Sequence, residues 1–298
     1  MFGFPPARGQ GLDARLRGHD GKNSSTDELT VQPAAQDVLF ICVYQIAFFL
    51  SVDSRIFSIS TKWEICPLGK EIEPPPPEDA RRIETTELLK RQWLSKNVFE
   101  IQLGRPESFA FEAGQTIRFI HKSIERHYSL LSVPDDPFLS LCVYHISNGQ
   151  FSPILADAEI GTRFKFSGPH GYFTFKPSSR PAVFVACGTG IAPFVSMSRS
   201  GVTDFMLLHE VQRVEDLYYQ NVFHKIASNY VPCLLQAAPA DPSPPGAFHG
   251  DAAGYLIKNL QPGSYDFYLC GEREMIRGVT LLVDERYAGS YVYTEVFY

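Results

Sequence analysis

The order of apolar and polar positions divides the chain into two regimes. Short alternating runs come first: VFEIQL (98–103), TIRFI (116–120), LSLCVYHI (139–146) and RFKF (163–166). A period of two marks strands with one buried face, and the Gly and Pro between the runs fall at spacings that suit an antiparallel barrel. From Pro181 the pattern changes. Strand-like PAVFVAC (181–187) is followed by a helix from Ile191 and a second strand, DFMLLHEV (204–211). Residues 215–230 read as a helix, with Tyr219, Phe223, Ile226, Ala227 and Tyr230 on one face. Strand VPCLLQAA (231–238), a Pro-rich loop and a short helix at 251–260 come next. Strand YDFYLCG (265–271), a helix at 272–287 and strand YVYTEVFY (291–298) complete the region. Strands alternating with helices predict a parallel sheet covered on both faces.

The segment ahead of the barrel lacks this order. Residues 1–37 hold Gly, Pro, Ser, Asp and Arg without either period and are expected to be disordered. Their FPPARGQGLDARLRGHDGK stretch resembles translated intergenic repeat DNA, which implies a start site or gene arrangement other than the natural one. Residues 38–52 (VLFICVYQIAFFLSV) are strongly apolar. As a helix they would rise about 22 Å, short of the ~20 residues a bilayer span requires. A buried strand or helix is expected, with a membrane-associated segment as the lesser alternative. PPPP (74–77) is a stiff linker and a natural boundary.

Composition narrows the function. A chain of 298 residues accommodates two ordinary domains. Its net charge of −6 supplies no basic field for nucleic acid, and that class is excluded. The six cysteines (Cys42, Cys66, Cys142, Cys187, Cys233, Cys270) form no Cys-x-x-Cys pair, so no metal site is expected from local spacing. Dispersed cysteines suit a reducing cytoplasm.

Several short stretches could carry chemistry. Arg126-His127-Tyr128-Ser129 ends a barrel strand and offers a cation, an aromatic face and a hydroxyl, the groups a flavin needs; it could equally be a surface strand end. Asn148-Gly149-Gln150-Phe151-Ser152 is either a pyrophosphate-binding turn at a helix start or an ordinary capped turn. Gly168-Pro169-His170-Gly171-Tyr172-Phe173 reads as a sharp corner. Gly188-Thr189-Gly190, with Pro193 in the first helical turn, lets backbone approach a phosphate, though its spacing is not Gly-x-Gly-x-x-Gly. Cys270-Gly271-x-x-x-Met275 repeats the strand–Gly–helix arrangement. Glu295, Phe297 and Tyr298 end the last strand, where the aromatics could be plain core packing.

Taken in order, these motifs resemble the ferredoxin–NADP reductase superfamily over about residues 80–298, and within it the reductase components that feed bacterial oxygenases and ferredoxins. The resemblance implies a two-domain fold: an antiparallel Greek-key β-barrel that binds flavin (79–177), then a doubly wound α/β domain with a parallel five-stranded sheet for the nicotinamide nucleotide (178–298). It implies FAD, with FMN as the alternative, and NADH or NADPH as substrate. Arg126 and His127 would lie at the flavin, with Arg126 on its phosphate. Tyr128 would pack on the isoalloxazine and Ser129 hydrogen-bond near its N5. Gly149, Gln150, Phe151 and Ser152 would hold the rest of the pyrophosphate. Gly188, Thr189, Gly190 and Pro193, with Gly271 and Met275, would form the nucleotide site. Cys270 would lie beside the nicotinamide, and Glu295, Phe297 and Tyr298 would close the flavin's other side. Ser129, Cys270 and Glu295 are the expected catalytic residues. Hydride would pass from nicotinamide to flavin, and electrons then singly to a ferredoxin or oxygenase iron–sulfur component in trans.

Three departures qualify the likeness. Cys187 stands where a smaller residue is usual. Glu210 and Gln212 replace the glycine and arginine of a Gly-x-Arg segment, although Arg213 is adjacent, and an anion there favours NADH over NADPH. Tyr144 and His145 stand where basic residues often assist the flavin phosphates. Some relatives carry a ferredoxin domain before the barrel. Residues 38–78 are expected to be its remnant plus the Pro-rich linker, with Cys66 unable to hold a cluster alone. The rival functions are a flavin-dependent reductase of oxygen or a soluble acceptor, and a non-catalytic subunit needing a partner chain.

Overall fold

The computed structural model describes residues 82–236 and 243–297. The expectations for residues 1–81, including the remnant segment, Cys42 and Cys66, lie outside them, as does Tyr298.

The first half is a six-stranded antiparallel sheet: β1 (Ile83–Trp93), β2 (Val98–Gly104), β3 (Thr116–His121), β4 (Ile124–Ser129), β5 (Phe138–Tyr144) and β6 (Arg163–His170). The order β4-β3-β6-β1-β2-β5 inserts β6 between β1 and β3, the non-sequential neighbour expected of a Greek key. β1 turns the corner. Its first residues, from Ile83 to Glu87, pair with β6, and its later ones, through Trp93, pair with β2 across a register shift between Leu88 and Lys90. An isolated bridge from Leu130 to Leu141 joins the two edges, so the sheet curls into a barrel. Inside, Phe119 meets the rings of Tyr128, Phe151 and Phe164 at 5.8, 5.3 and 5.7 Å. The Gly168–Pro169 corner stays within β6, opposite a register shift between Thr116 and Arg118. A short helix, α1 (Ser152–Asp157), lies between β5 and β6.

The second half is a parallel sheet of β7 (Ala182–Cys187), β8 (Phe205–Val211), β9 (Asn229–Leu234), β10 (Phe248–His249), β11 (Asp266–Gly271) and β12 (Tyr291–Val296). Its order is β10-β9-β8-β7-β11-β12, so the winding reverses between β7 and β11. The helices are α2 (Ala192–Arg199), α3 (Gln220–Ile226), α4 (Ala252–Asn259) and α5 (Arg273–Arg286). β7 shows why its strands read as unbroken apolar runs. Phe184 and Ala186 enter one core with α2, whereas Val183 and Val185 enter another with α4 and α5.

Two expectations need correction. The sheet has six strands rather than five, because Phe248–His249 adds a two-residue edge beside Cys233 and Leu234. The helix expected over 215–230 is broken into a 3-10 turn (Val214–Asp216) and α3, and Tyr230 lies in β9. Tyr219 takes a left-handed φ of 62°, which ends the turn and sends its hydroxyl to Glu100 Oε2 on the barrel, 2.9 Å away. Tyr230 matched the helical period by spacing alone, and from the following strand its ring stacks on Phe223 at 5.8 Å.

One apolar core also runs between the halves. Val98, Leu131, Cys142 and Phe173 of the first half pack with Phe184, Phe194 and Tyr268 of the second. Ser196 Oγ donates to the Ser132 carbonyl at 2.6 Å, and Arg199 pairs with Asp136 at 3.1 Å. The ends of β4, β7, β11 and β12 are thereby set at one junction.

Candidate active site

Strand alternation sorts the end of β4 into two faces. Tyr128 is half-buried against the barrel core, 6.3 Å from the Phe151 ring, and burial pushes its hydroxyl pKa up, so it stays protonated. Arg126, on the same face, is exposed and donates from Nη2 to Gln150 Oε1 at 2.8 Å. The strand end and the Gly149–Ser152 turn, far apart in sequence, are therefore side by side. Gly149 is required by the turn itself, since a Cβ there would lie 2.9 Å from the Ile146 carbonyl oxygen. The Ser152 hydroxyl accepts from the Ile146 N–H at 3.0 Å, while Phe151 occupies the N-cap of α1 without a side-chain cap. The exposed His127 ring packs edge-on against His170 at 5.4 Å. His145 packs against Trp93, and Tyr144 is exposed.

Ser129 turns the other way. Its Oγ donates to Glu295 Oε1 at 3.3 Å, linking the barrel to the last parallel strand. Glu295 stands opposite Cys270 in the β11–β12 register, so the three expected catalytic residues meet at the junction. The second carboxyl oxygen, Glu295 Oε2, is buried without a hydrogen-bond partner. Burial raises the Glu295 pKa to about 8, against the lowering effect of the Ser129 hydroxyl. Cys270 is fully buried, and desolvation, then the charges of Glu295 and Cys187, hold its thiol well above the ordinary range. These causes favour the neutral S–H over the thiolate that a nucleophile needs. Phe297 N–H donates to the Gly271 carbonyl at 2.8 Å and its ring packs on the shared core.

The raised Glu295 pKa carries a stability prediction. The unfolded chain ionises this carboxyl near the ordinary 4.5, the folded protein only near 8. Its contribution is therefore complete below pH 4.5 and is lost as pH rises to 8, by roughly 1.4 kcal/mol per unit. Glu295→Gln keeps a partner for Ser129 without the charge. Its melting temperature relative to the unsubstituted protein is expected to climb between pH 5 and 8; parallel pH profiles would remove the assignment.

The Gly188-Thr189-Gly190 stretch forms a 3-10 turn (Gly188–Ile191) leading into α2, with Pro193 in that helix's first turn. A Cβ on Gly190 would lie 2.2 Å from the Cys270 carbonyl oxygen, and one on Gly271 would lie 2.6 Å from Cys187 Cβ. These glycines lock the ends of β7 and β11 together. Met275 lies in the core beneath α5, with Ile276 and Val279. Glu210, expected beside a 2′-phosphate, has its carboxylate at the start of α4, accepting from the Ala252 N–H at 2.9 Å. Sequence reasoning missed Glu100 and Tyr219, and it missed His209, a polar residue inside the apolar run of β8 that bonds the Gly188 carbonyl.

Two family models divide the described chain at this junction. Residues 85–175 match an oxidoreductase FAD-binding domain, and residues 184–280 an oxidoreductase NAD-binding domain. The chain belongs to the ferredoxin–NADP reductase-like oxidoreductases. Ferredoxin–NADP reductase B of Sorangium cellulosum is 33% identical over 147 residues, covering 45% of this chain and 60% of that one. The chain thus spans less than two thirds of that relative. The reductase subunit of an Amycolatopsis aromatic O-demethylase is 27% identical over 275 residues, covering 83% and 80%. Among solved structures, a ferredoxin–NADP+ reductase from Neisseria gonorrhoeae with bound FAD and NADP shares the fold at TM-score 0.63, with 22% identity over 72% of this chain and 99% of that one.

The residues present fit the flavin of this reductase family. Tyr128 offers a half-buried ring, Arg126 an exposed guanidinium beside the Gly149–Ser152 turn, and Ser129 with Glu295 a polar contact that leaves one buried carboxyl oxygen open. Among the described residues, no helix is long and apolar enough to cross a membrane.

Proposed function

We propose that this chain is the flavoprotein reductase of an electron-transfer system, moving electrons from NAD(P)H through FAD to an iron–sulfur partner in trans, a ferredoxin or an oxygenase component. Residues 79–177 make up the FAD-binding domain and 178–298 the nucleotide-binding domain. The observation that carries the reading is the Ser129–Glu295–Cys270 junction, where the end of the barrel strand meets the strand ends of the parallel sheet. Doubly wound sheets bind ligands beyond the strand carboxyl ends where the winding reverses, here between β7 and β11. Cys270 is the next-to-last residue of β11 at that point.

A flavin held there would supply the chemistry of accepting hydride from a nicotinamide and releasing electrons singly. The chain's own residues do the rest. Arg126 and the Gly149–Ser152 turn supply the contacts for the pyrophosphate. Tyr128 and Phe297 present aromatic surface, and the apolar core between the halves keeps water from Cys270. Relatives include the reductase component of a naphthalene dioxygenase/salicylate hydroxylase system from Ralstonia and the electron transfer component of a toluate dioxygenase from Pseudomonas putida. Their stated roles support an oxygenase-type partner. The free thiols of Cys142, Cys187, Cys233 and Cys270 support a cytoplasmic setting.

The test is direct. Purified protein is expected to be yellow and to release FAD on denaturation, identified by mass spectrometry. In stopped flow, NADH is expected to reduce the flavin faster than NADPH, because Glu210, Asp251 and Glu272 place negative charge near one another at the ends of β8, α4 and α5. FMN as the sole flavin would sink the cofactor assignment, and faster reduction by NADPH would sink the nucleotide preference.

A further inference from the structure

We propose that His209 is the positioning residue of the nucleotide site, setting the peptide that presents the Thr189 N–H to the pyrophosphate. This rests on the reading of the Gly188–Ile191 turn as the nucleotide's phosphate loop.

His209 is fully buried in β8, directly beneath that turn. Its Nε2 lies 3.1 Å from the Gly188 carbonyl oxygen and its Nδ1 lies 3.4 Å from the Tyr230 hydroxyl. A carbonyl oxygen can only accept, so Nε2 carries the proton and Nδ1 accepts from Tyr230. Burial lowers the imidazole pKa to about 4, so one neutral tautomer persists across the working range. Burial also raises the Tyr230 pKa and keeps that hydroxyl a donor. The Tyr218 ring, edge-on at 5.6 Å, closes the remaining side. The relay therefore has one direction, from the Tyr230 hydroxyl through the imidazole to the Gly188 oxygen.

Gly188 is the residue this grip acts on. Its φ of +53° is left-handed, a conformation that a neighbour must hold in place against the freedom of glycine. The Gly188–Thr189 peptide is planar and trans, so its carbonyl and N–H point in opposite directions. With the carbonyl drawn inward by His209, the Thr189 N–H is turned outward. As the second residue of a 3-10 helix, Thr189 has no intrahelical acceptor for that N–H. An outward, unpaired N–H at the carboxyl end of β7 is the donor a pyrophosphate oxygen requires.

The experiment measures ADP-ribose binding by calorimetry on the flavin-loaded protein, because this probe carries the pyrophosphate but no redox centre. His209→Phe keeps a ring and removes the donor; His209→Gln keeps an N–H at the reach of Nε2. Phe is expected to weaken ADP-ribose tenfold or more and to raise KM for NADH with kcat little changed. Gln is expected to restore most of the affinity. Tyr230→Phe loosens the imidazole from behind and is expected to cost two- to threefold. Flavin content should be the same in all of them. Equal affinities for Phe and wild type would overturn the proposal, as would Gln falling as far as Phe. If the Phe variant does not fold, wild-type affinity in Tyr230→Phe or a tenfold loss in Gln is sufficient to reject it. Failure of the wild type to bind ADP-ribose would instead overturn the phosphate-loop reading beneath it.

Discussion

Gly190→Ala is expected to be among the most damaging single substitutions in the chain, lowering stability by more than about 3 kcal/mol. The added methyl would sit 2.2 Å from the Cys270 carbonyl oxygen, 2.7 Å from its carbon and 3.0 Å from the Gly271 nitrogen. All three are backbone atoms of β11, fixed by pairing to β7 on one side and β12 on the other. No side-chain rotation relieves the clash. The strand ends must part, and the shared core with them. Gly278 in α5 is the matched control, because a Cβ there meets nothing within 4 Å. Gly278→Ala is expected to stabilise by about 0.5–1 kcal/mol, as a mid-helix glycine replaced by alanine. Urea midpoints measured at constant slope separate the two cases. A Gly190→Ala protein within about 1 kcal/mol of the original would show that the glycine serves ligand approach rather than strand packing.

The same glycine shows which parts of the molecule could be read from its sequence. The Gly-Thr-Gly turn after an apolar run announced a strand, a tight turn and a helix, and its place at the end of β7 followed. What the glycine faces could not be read, because its neighbour Cys270 lies on a strand about 80 residues on. β7, β8, β9 and β11 were legible because both of their faces are buried, leaving continuous apolar runs. β1 was missed because only Thr86 and Leu88 of its length are buried. It holds its place by turning from one partner to another, and local alternation does not record that. The helix expected over 215–230 failed where a tertiary bond, Tyr219 to Glu100, outweighed local periodicity. Glu210 was visible as a departure, but its bond to the Ala252 N–H was not, since nothing local pairs the end of β8 with the start of α4. His209 did leave a signal. A lone imidazole in the middle of an apolar strand must find hydrogen bonds when buried, so its position alone implies polar partners brought to it from elsewhere in the chain.

Cys270→Ala is expected to slow flavin reduction by NADH tenfold or more, about 1.4 kcal/mol of transition-state stabilisation. The residue has two separable roles, and the substitution divides them. Its backbone anchors the junction, pairing with Ala186 and Glu295 on either side and receiving Gly190 against its carbonyl. Alanine leaves every one of these contacts in place. Its side chain points into the core shared by the two halves, on the same face as Ala186, whereas Cys187 faces the opposite core with α4 and α5. The two thiols therefore project to opposite sides of the sheet, and loss of a disulfide cannot account for any effect. Because the thiol stays protonated, loss of a thiolate cannot account for it either. What alanine removes is the bulk of one sulfur beside Glu295, where the nicotinamide is proposed to dock. Rates that depend on the nicotinamide's placement should fall, while reoxidation by a one-electron acceptor, in which the nicotinamide takes no part, should stay as it was. Equal slowing of both half-reactions would mean that the Ser129–Glu295 contact had been disturbed. Full activity in both would leave Cys270 a small residue that packs, and the docking of the nicotinamide would then have to be sought along the outer face of the Gly188–Ile191 turn.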